Sequence, residues 1–221
     1  MAQIFHPAFN TLARASIFGF LFIIAGLAWL AYGVQKSPYL TQQGIVRDQP
    51  VPFSHEHHVR GLGIDCRYCH TSVEQSSFAG IPPTETCMTC HSKVWTNAEI
   101  LQPVRTSWQL DRPIAAGWVR VHNLPGFVYF NHSIHVNKGV GCSTCHGRVQ
   151  DMPLMFQSAT LQMDWCVKCH RTPQEVLRPR DQIFNMEWTP PPDQEKQGQA
   201  LATLYHVAPA EHLTTCYVCH R

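Results

Sequence analysis

Five copies of one pentapeptide constrain this chain more than any other feature. They read CRYCH at 66–70, CMTCH at 87–91, CSTCH at 142–146, CVKCH at 166–170 and CYVCH at 216–220. A C-x-x-C-H unit offers two thiols that add across the two vinyl groups of a haem, and beside them an imidazole that binds the iron from the same side. Each copy therefore predicts one covalent c-type haem, five in all. The attachment residues are Cys66 and Cys69, Cys87 and Cys90, Cys142 and Cys145, Cys166 and Cys169, and Cys216 and Cys219. The proximal ligands are His70, His91, His146, His170 and His220. Paired C-x-x-C units also build zinc sites with four thiolate ligands. Zinc pairing, however, takes the units in twos and gives no reason for a His after every one. All ten cysteines lie in the motifs, so no thiol is left for a disulfide or a nucleophile.

Composition narrows the surroundings. Only 14% of the 221 residues are charged, against roughly 25% in an average soluble domain. A membrane segment, a surface covered by partners, or both would account for the deficit. Each haem carries two propionates, so the formal charge of +2 becomes about −8 with every iron ferrous or about −3 with every iron ferric. A basic surface for nucleic acid is excluded. Of 14 histidines the motifs use five, which leaves nine for the opposite faces of the irons.

Residues 16–34, SIFGFLFIIAGLAWLAYGV, carry no charge and are long enough to cross the roughly 30 Å hydrocarbon core as one helix. Arg14 and Lys36 flank the run. A cleaved secretory signal competes with this reading, but the run exceeds the usual apolar core of about 7–15 residues and no A-x-A-like cleavage site closes it. The expectation is an uncleaved, single-pass anchor in the cytoplasmic membrane. Residues 1–15, with Phe5, Phe9 and Leu12 at helical spacing, are expected in the membrane interface. The flanking charges hardly decide orientation. Haem attachment does, because c-type haems are joined to their proteins on the outer face, so residues 35–221 form a periplasmic haem domain.

Past a polar linker at 36–50 the chain repeats itself. Phe53 begins FSHEHHVRGLGIDCRYCH and Phe130 begins FNHSIHVNKGVGCSTCH, and each stretch is followed by a second motif. Two modules result, 53–91 and 130–170. Each has two spare histidines at i, i+3, which places His55 with His58, and His132 with His135, on one side of a helical turn. The four imidazoles supply sixth ligands to four irons. The register aligns His58, not His57, with His135, so His57 is assigned to solvent or a propionate. The fifth iron has several claimants: His122 first, then Met152, Met155 and Met163, and His206 and His212 before the last motif. A Met ligand would raise the potential relative to a second His, whereas the ordinary role of Met beside a porphyrin is packing.

The single anchor, five C-x-x-C-H motifs, paired F-x-H-x-x-H-V blocks and final CHR together resemble the pentahaem cytochrome subunit of alternative complex III, a bacterial quinol oxidoreductase. The resemblance covers nearly the whole chain. It implies a multisubunit membrane assembly, with an iron-sulfur subunit, polytopic quinol-site subunits and a monohaem cytochrome as neighbours. It leaves the fifth sixth-ligand open.

The remaining stretches set the expected fold. Residues 171–205 contain a triple proline at 190–192, which breaks helix and strand alike. This arm, with Phe184, Met186 and Trp188, is expected to have no core of its own and to lie over something else. A C-terminal haem site at 206–221 follows. About 186 residues covering five haems leave porphyrins in place of most of a side-chain core. The fold class is therefore mainly α with much irregular structure, a multihaem cytochrome c domain on one transmembrane helix. The function expected is an electron relay from quinol oxidation to a periplasmic carrier, with no catalytic residue and no turnover by this chain alone. A multihaem reductase of a small oxyanion would need one open iron face, often with Lys as proximal ligand, and every motif here ends in His. A small tetrahaem quinol dehydrogenase feeding a periplasmic reductase shares the anchor but lacks the paired blocks.

Overall fold

The computed structural model describes residues 4–114 and 117–220. Residues 1–3 of the expected interfacial segment and Arg221 of the final CHR lie outside them. The chain divides at Gln43/Gly44 into two units. The first holds the helix Ala8–Lys36, long and apolar enough to cross a membrane, with no buried residue. At 29 residues it is about 43 Å long, so it outruns the 16–34 span read from the uncharged run. The extension at its start is AFNTLARA, good helix-forming sequence that lets the helix continue through Arg14. Lys36 sits in its last turn, where a cation complements the carbonyl end of the helix. A one-turn helix, Pro38–Thr41, follows.

The second unit is helical and irregular. Among the described residues the only β pairing is two isolated antiparallel bridges, Val46 with Phe156 and Val140 with Leu177. Each motif rides on a short helix: Cys66–Cys69, Thr84–His91, Cys142–His146, Met163–Arg171 and Cys216–Cys219. Three residues make about one turn, so both thiols of a C-x-x-C project from one side. Local chemistry starts the first of these helices. The Asp65 carboxylate accepts from the Arg67 amide at 2.8 Å, an N-cap for the first. Its pKa is lowered, chiefly by the hydrogen bond from the Arg67 side chain.

Side-chain burial is scattered into three small clusters in place of one core. They centre on Val51, Leu101 and Val104; on Val73, Val136 and Ile183; and on Val149, Met152 and Met186. Each has a motif cysteine packed against it: Cys87, Cys142, and Cys66 with Cys142. The apolar material thus gathers around the attachment points.

The arm at 171–205 departs from expectation. It contains an 11-residue helix, Gln194–Leu204, that packs on the turn Pro173–Glu175. It also supplies Leu177, at 1% exposed the most buried side chain among the described residues, and Ile183 and Met186 of two clusters. The sequence QEKQGQALATL hides this helix because its contact is made by a glycine and by backbone, not by an apolar stripe. Gly198 lies so close to Gln174 that a Cβ there would fall 2.0 Å from its carbonyl oxygen. Gln194 donates to the carbonyls of Gln174 and Leu177, both at 2.8 Å. The triple proline stops before this helix, and the Pro191 carbonyl accepts from the Gln194 amide in its opening turn.

Candidate haem sites

The two F-x-H-x-x-H blocks fold the same way, although the first turn is π-helical, Glu56–Gly61, and the second α-helical, His132–Asn137. Phe53 stacks on His58 at 4.3 Å and meets His55 edge-on at 4.9 Å; Phe130 stacks on His135 at 4.5 Å and meets His132 edge-on at 4.7 Å. His58 Nδ1 bonds the carbonyl of Ser54 at 2.8 Å, and His135 Nδ1 that of Asn131 at 2.7 Å. The Phe therefore orients both rings. His57 stands apart from this pattern: it is exposed and stacks on Trp95 at 5.8 Å.

Carbonyl oxygens can only accept, so an imidazole bonded to one through Nδ1 must carry its proton there. That leaves Nε2 with a free lone pair, the tautomer a metal ligand needs. The same arrangement holds for His70 on Gly80, His91 on Val94, His132 on Ser77, His170 on Leu213 and His220 on Phe127, at 2.7–3.2 Å. His122 has its Nε2 buried with no partner among the described residues, and His55 its Nδ1. A buried, unpaired imidazole nitrogen is costly unless something binds it. Imidazoles held this way are in the form a metal ligand needs.

Burial keeps the inner rings neutral. His146 is held down to about 3 by burial and then by the neighbouring His122 and His132; His55 to about 4 by burial and His70; and His122 to about 4 by burial and His132. Neutral imidazole is the ligating form. The thiols move the other way, Cys142 up to about 11 and Cys145 up to about 12, again mainly through burial.

Ring separations sort the histidines. Two metal–nitrogen bonds of about 2 Å, with about 1.1 Å from nitrogen to ring centre on each side, would put imidazoles on opposite faces of one iron about 6 Å apart. His58 and His91 are 6.2 Å apart, and His135 and His170 are 6.1 Å apart. In both modules the second His of the block thus meets the second motif. His146 has two neighbours, His132 at 6.2 Å and His122 at 4.2 Å. His55 and His132 also lie close enough to His70 for their charges to interact. His220 has Phe127 against it, at 5.8 Å.

The other claimants are placed otherwise. Met152 is buried in a cluster with Val149 and Met186, Met155 packs on the same cluster, and Met163 is 69% exposed at the start of its helix. His206 and His212 are exposed, and His212 meets Tyr217.

The motifs touch in a definite sequence. Tyr68 and Thr89, inside the first and second motifs, share a hydrogen bond of 2.9 Å. Cys66 and Cys142 pack on one cluster, which joins the first motif to the third. Cys145 and Cys169 are near enough for charge on one to raise the pKa of the other, and so are Cys166 and Cys219. His170 bonds Leu213, three residues before Cys216. The order is second, first, third, fourth, fifth. Module contacts reinforce it: the amides of His132 and Ser133 bond the carbonyls of Ser77 and Ser76, and that of Tyr129 bonds the carbonyl of Cys219 at 2.8 Å.

Sequence reasoning missed the orienting role of Phe53 and Phe130, although both head the repeat. It also missed the carbonyl acceptors, which carry no sequence signal.

The chain resembles known multihaem cytochromes. Residues 134–221 match the family described as Cytochrome c3. The menaquinone reductase multiheme cytochrome c subunit of Nitratidesulfovibrio vulgaris (strain Hildenborough) is 30% identical over 145 residues, covering 56% of this chain and 68% of that protein. The cytochrome c3 match over residues 134–221 implies covalently bound haem c, and the paired cysteines and neutral, carbonyl-oriented imidazoles fit that group. On its motifs, its helical architecture and these relatives, the chain belongs to the multihaem cytochrome c family.

Proposed function

We propose that this chain is a membrane-anchored pentahaem cytochrome that carries electrons between a quinone site in partner subunits and a soluble periplasmic carrier. Five haems are attached at the five motifs, with His70, His91, His146, His170 and His220 as proximal ligands. His58 ligates the iron of His91, His135 that of His170, and His132 that of His146, while His55 and His122 serve the remaining irons. The observation that carries this reading is the pair of matched separations, 6.2 and 6.1 Å, made by equivalent residues of two repeats. Repetition of a two-sided histidine site supports a relay, because an iron held on both faces has no position for substrate.

The complex is the alternative complex III type, with an iron-sulfur subunit, polytopic quinol-site subunits and a monohaem cytochrome beside the chain, and the haem domain lies in the periplasm. Electrons then run from quinol outward. The relative's name favours a second reading, in which a periplasmic donor supplies electrons for menaquinone reduction. Gentle solubilisation of native membranes, capture on this chain and identification of co-purifying proteins distinguishes both from a lone quinol dehydrogenase. Iron-sulfur and polytopic partners are expected, and a chain captured alone would contradict the complex. Adding quinol, or a reduced periplasmic carrier with menaquinone, to the captured complex then gives the direction.

A further inference from the structure

Arg178 is a buried cation for which the relay gives no account. It is 3% exposed, and among the described residues no carboxylate forms an ion pair with it. Its guanidinium lies 4.3 Å from the centre of the Trp188 ring. It donates to the hydroxyls of Ser143 and Thr144, at 3.2 and 3.1 Å, and to the carbonyls of Asn185 at 3.2 Å and Gln182 at 3.5 Å. Its Nε has no partner among the described residues. Ser143 and Thr144 are the two variable residues of the third motif, so the charge rests against the site where Cys142 and Cys145 bind haem.

The backbone fixes it there. The Arg178 amide bonds the Gly139 carbonyl at 2.9 Å, and Val140 bridges Leu177. A Cβ on Gly141 would meet the guanidinium, so any larger residue before Cys142 would have to push Arg178 aside. A buried charge with only neutral acceptors among the described residues is costly to the fold, and packing a short helix does not require one.

We propose that Arg178 sets the potential of the haem on the third motif. Oxidation of that iron from ferrous to ferric releases one electron and adds one positive charge. A fixed cation in a poorly solvated site opposes that addition, so it stabilises the reduced state. The third motif is central in the contact order, and an electron passing from the first module to the second crosses it. Raising its potential makes it the resting place for the first electron to arrive.

The inference rests on the haem reading of the third motif, and the experiment separates the two. Wild type, R178Q, R178K and T144D are purified as the complex from a host that attaches haem, then weighed intact and titrated optically and by electron paramagnetic resonance. Wild type with fewer than five haems would sink the haem reading itself. With five haems present, R178Q is expected to lower the midpoint of one haem by at least a tenfold change in its reduced-to-oxidised ratio, which is about 59 mV for one electron. R178K keeps the charge and should stay near wild type. T144D leaves Arg178 packed but neutralises it, and should move the same haem in the same direction as R178Q, which decides the matter if R178Q fails to assemble. Unchanged midpoints in R178Q or T144D overturn the proposal. So does R178K that shifts as far as R178Q, or that loses a haem, since the role would then be packing.

Discussion

His135 and His170 face each other with ring centres 6.1 Å apart, one from the block that opens the second repeat and one from the motif that closes it. His58 and His91 stand in the same relation in the first repeat at 6.2 Å. The two modules are thus closed by equivalent pairs, each second histidine held by a stacked phenylalanine and a carbonyl one turn back.

Removing either second histidine should leave an iron with one strong protein ligand. H58A and H135A are each expected to convert one haem of five to high spin and make it reactive toward carbon monoxide. H57A should do neither, since His57 is exposed and stacks on Trp95. Equal spectral change in H57A and H58A would refute the register of the repeat.

His122 is tested in the same way as the ligand of the fifth iron. H122A should give one high-spin haem, because the Nε2 of His122 is buried without a partner among the described residues. A spectrum identical to wild type would pass the fifth iron to another ligand.

The turn–helix contact of the arm predicts stability effects away from any ligand. G198A forces a methyl into the Gln174 backbone and should cost about 1–3 kcal/mol. I183A empties part of the cluster with Val73 and Val136 and should cost about 2–5 kcal/mol. Both should lower the denaturation midpoint of the haem-loaded protein while leaving five haems attached. Midpoints at the wild-type value would mean that the arm does not pack as described.

These substitutions fall where the sequence was least legible. The motifs, the apolar helix and the two repeated blocks could be read directly because each is a fixed pattern with a chemical reason. Phe53 and Phe130 were visible as part of a repeat, but not as rings that set the histidines. The helix Gln194–Leu204 was hidden because Gly198 and two glutamine bonds hold it, and glycine and glutamine give no periodic apolar signal. Leu177, Ile183 and Met186 lie in a proline-rich stretch whose composition suggests an arm, yet they are among its most buried residues. Which histidine meets which motif depends on long-range contacts such as His132 with Ser77, and no local pattern encodes those.

The small, separate clusters predict dependence on the cofactor. The chain made without haem attachment should fail to form the second unit, because Cys66, Cys87 and Cys142 pack against those clusters and the haem links join segments far apart in sequence. Circular dichroism of the haem-free chain should show little helix beyond the N-terminal one and no cooperative melt. A haem-free chain with the full helical signal and a sharp transition would contradict this.

The most direct test of the central claim is the intact mass of the mature chain purified from its native membrane. Five thiol pairs, none of them spare, require a mass above that of the polypeptide by five covalently attached haems that survive denaturation. A smaller number of haems, or zinc in their place, would contradict the account.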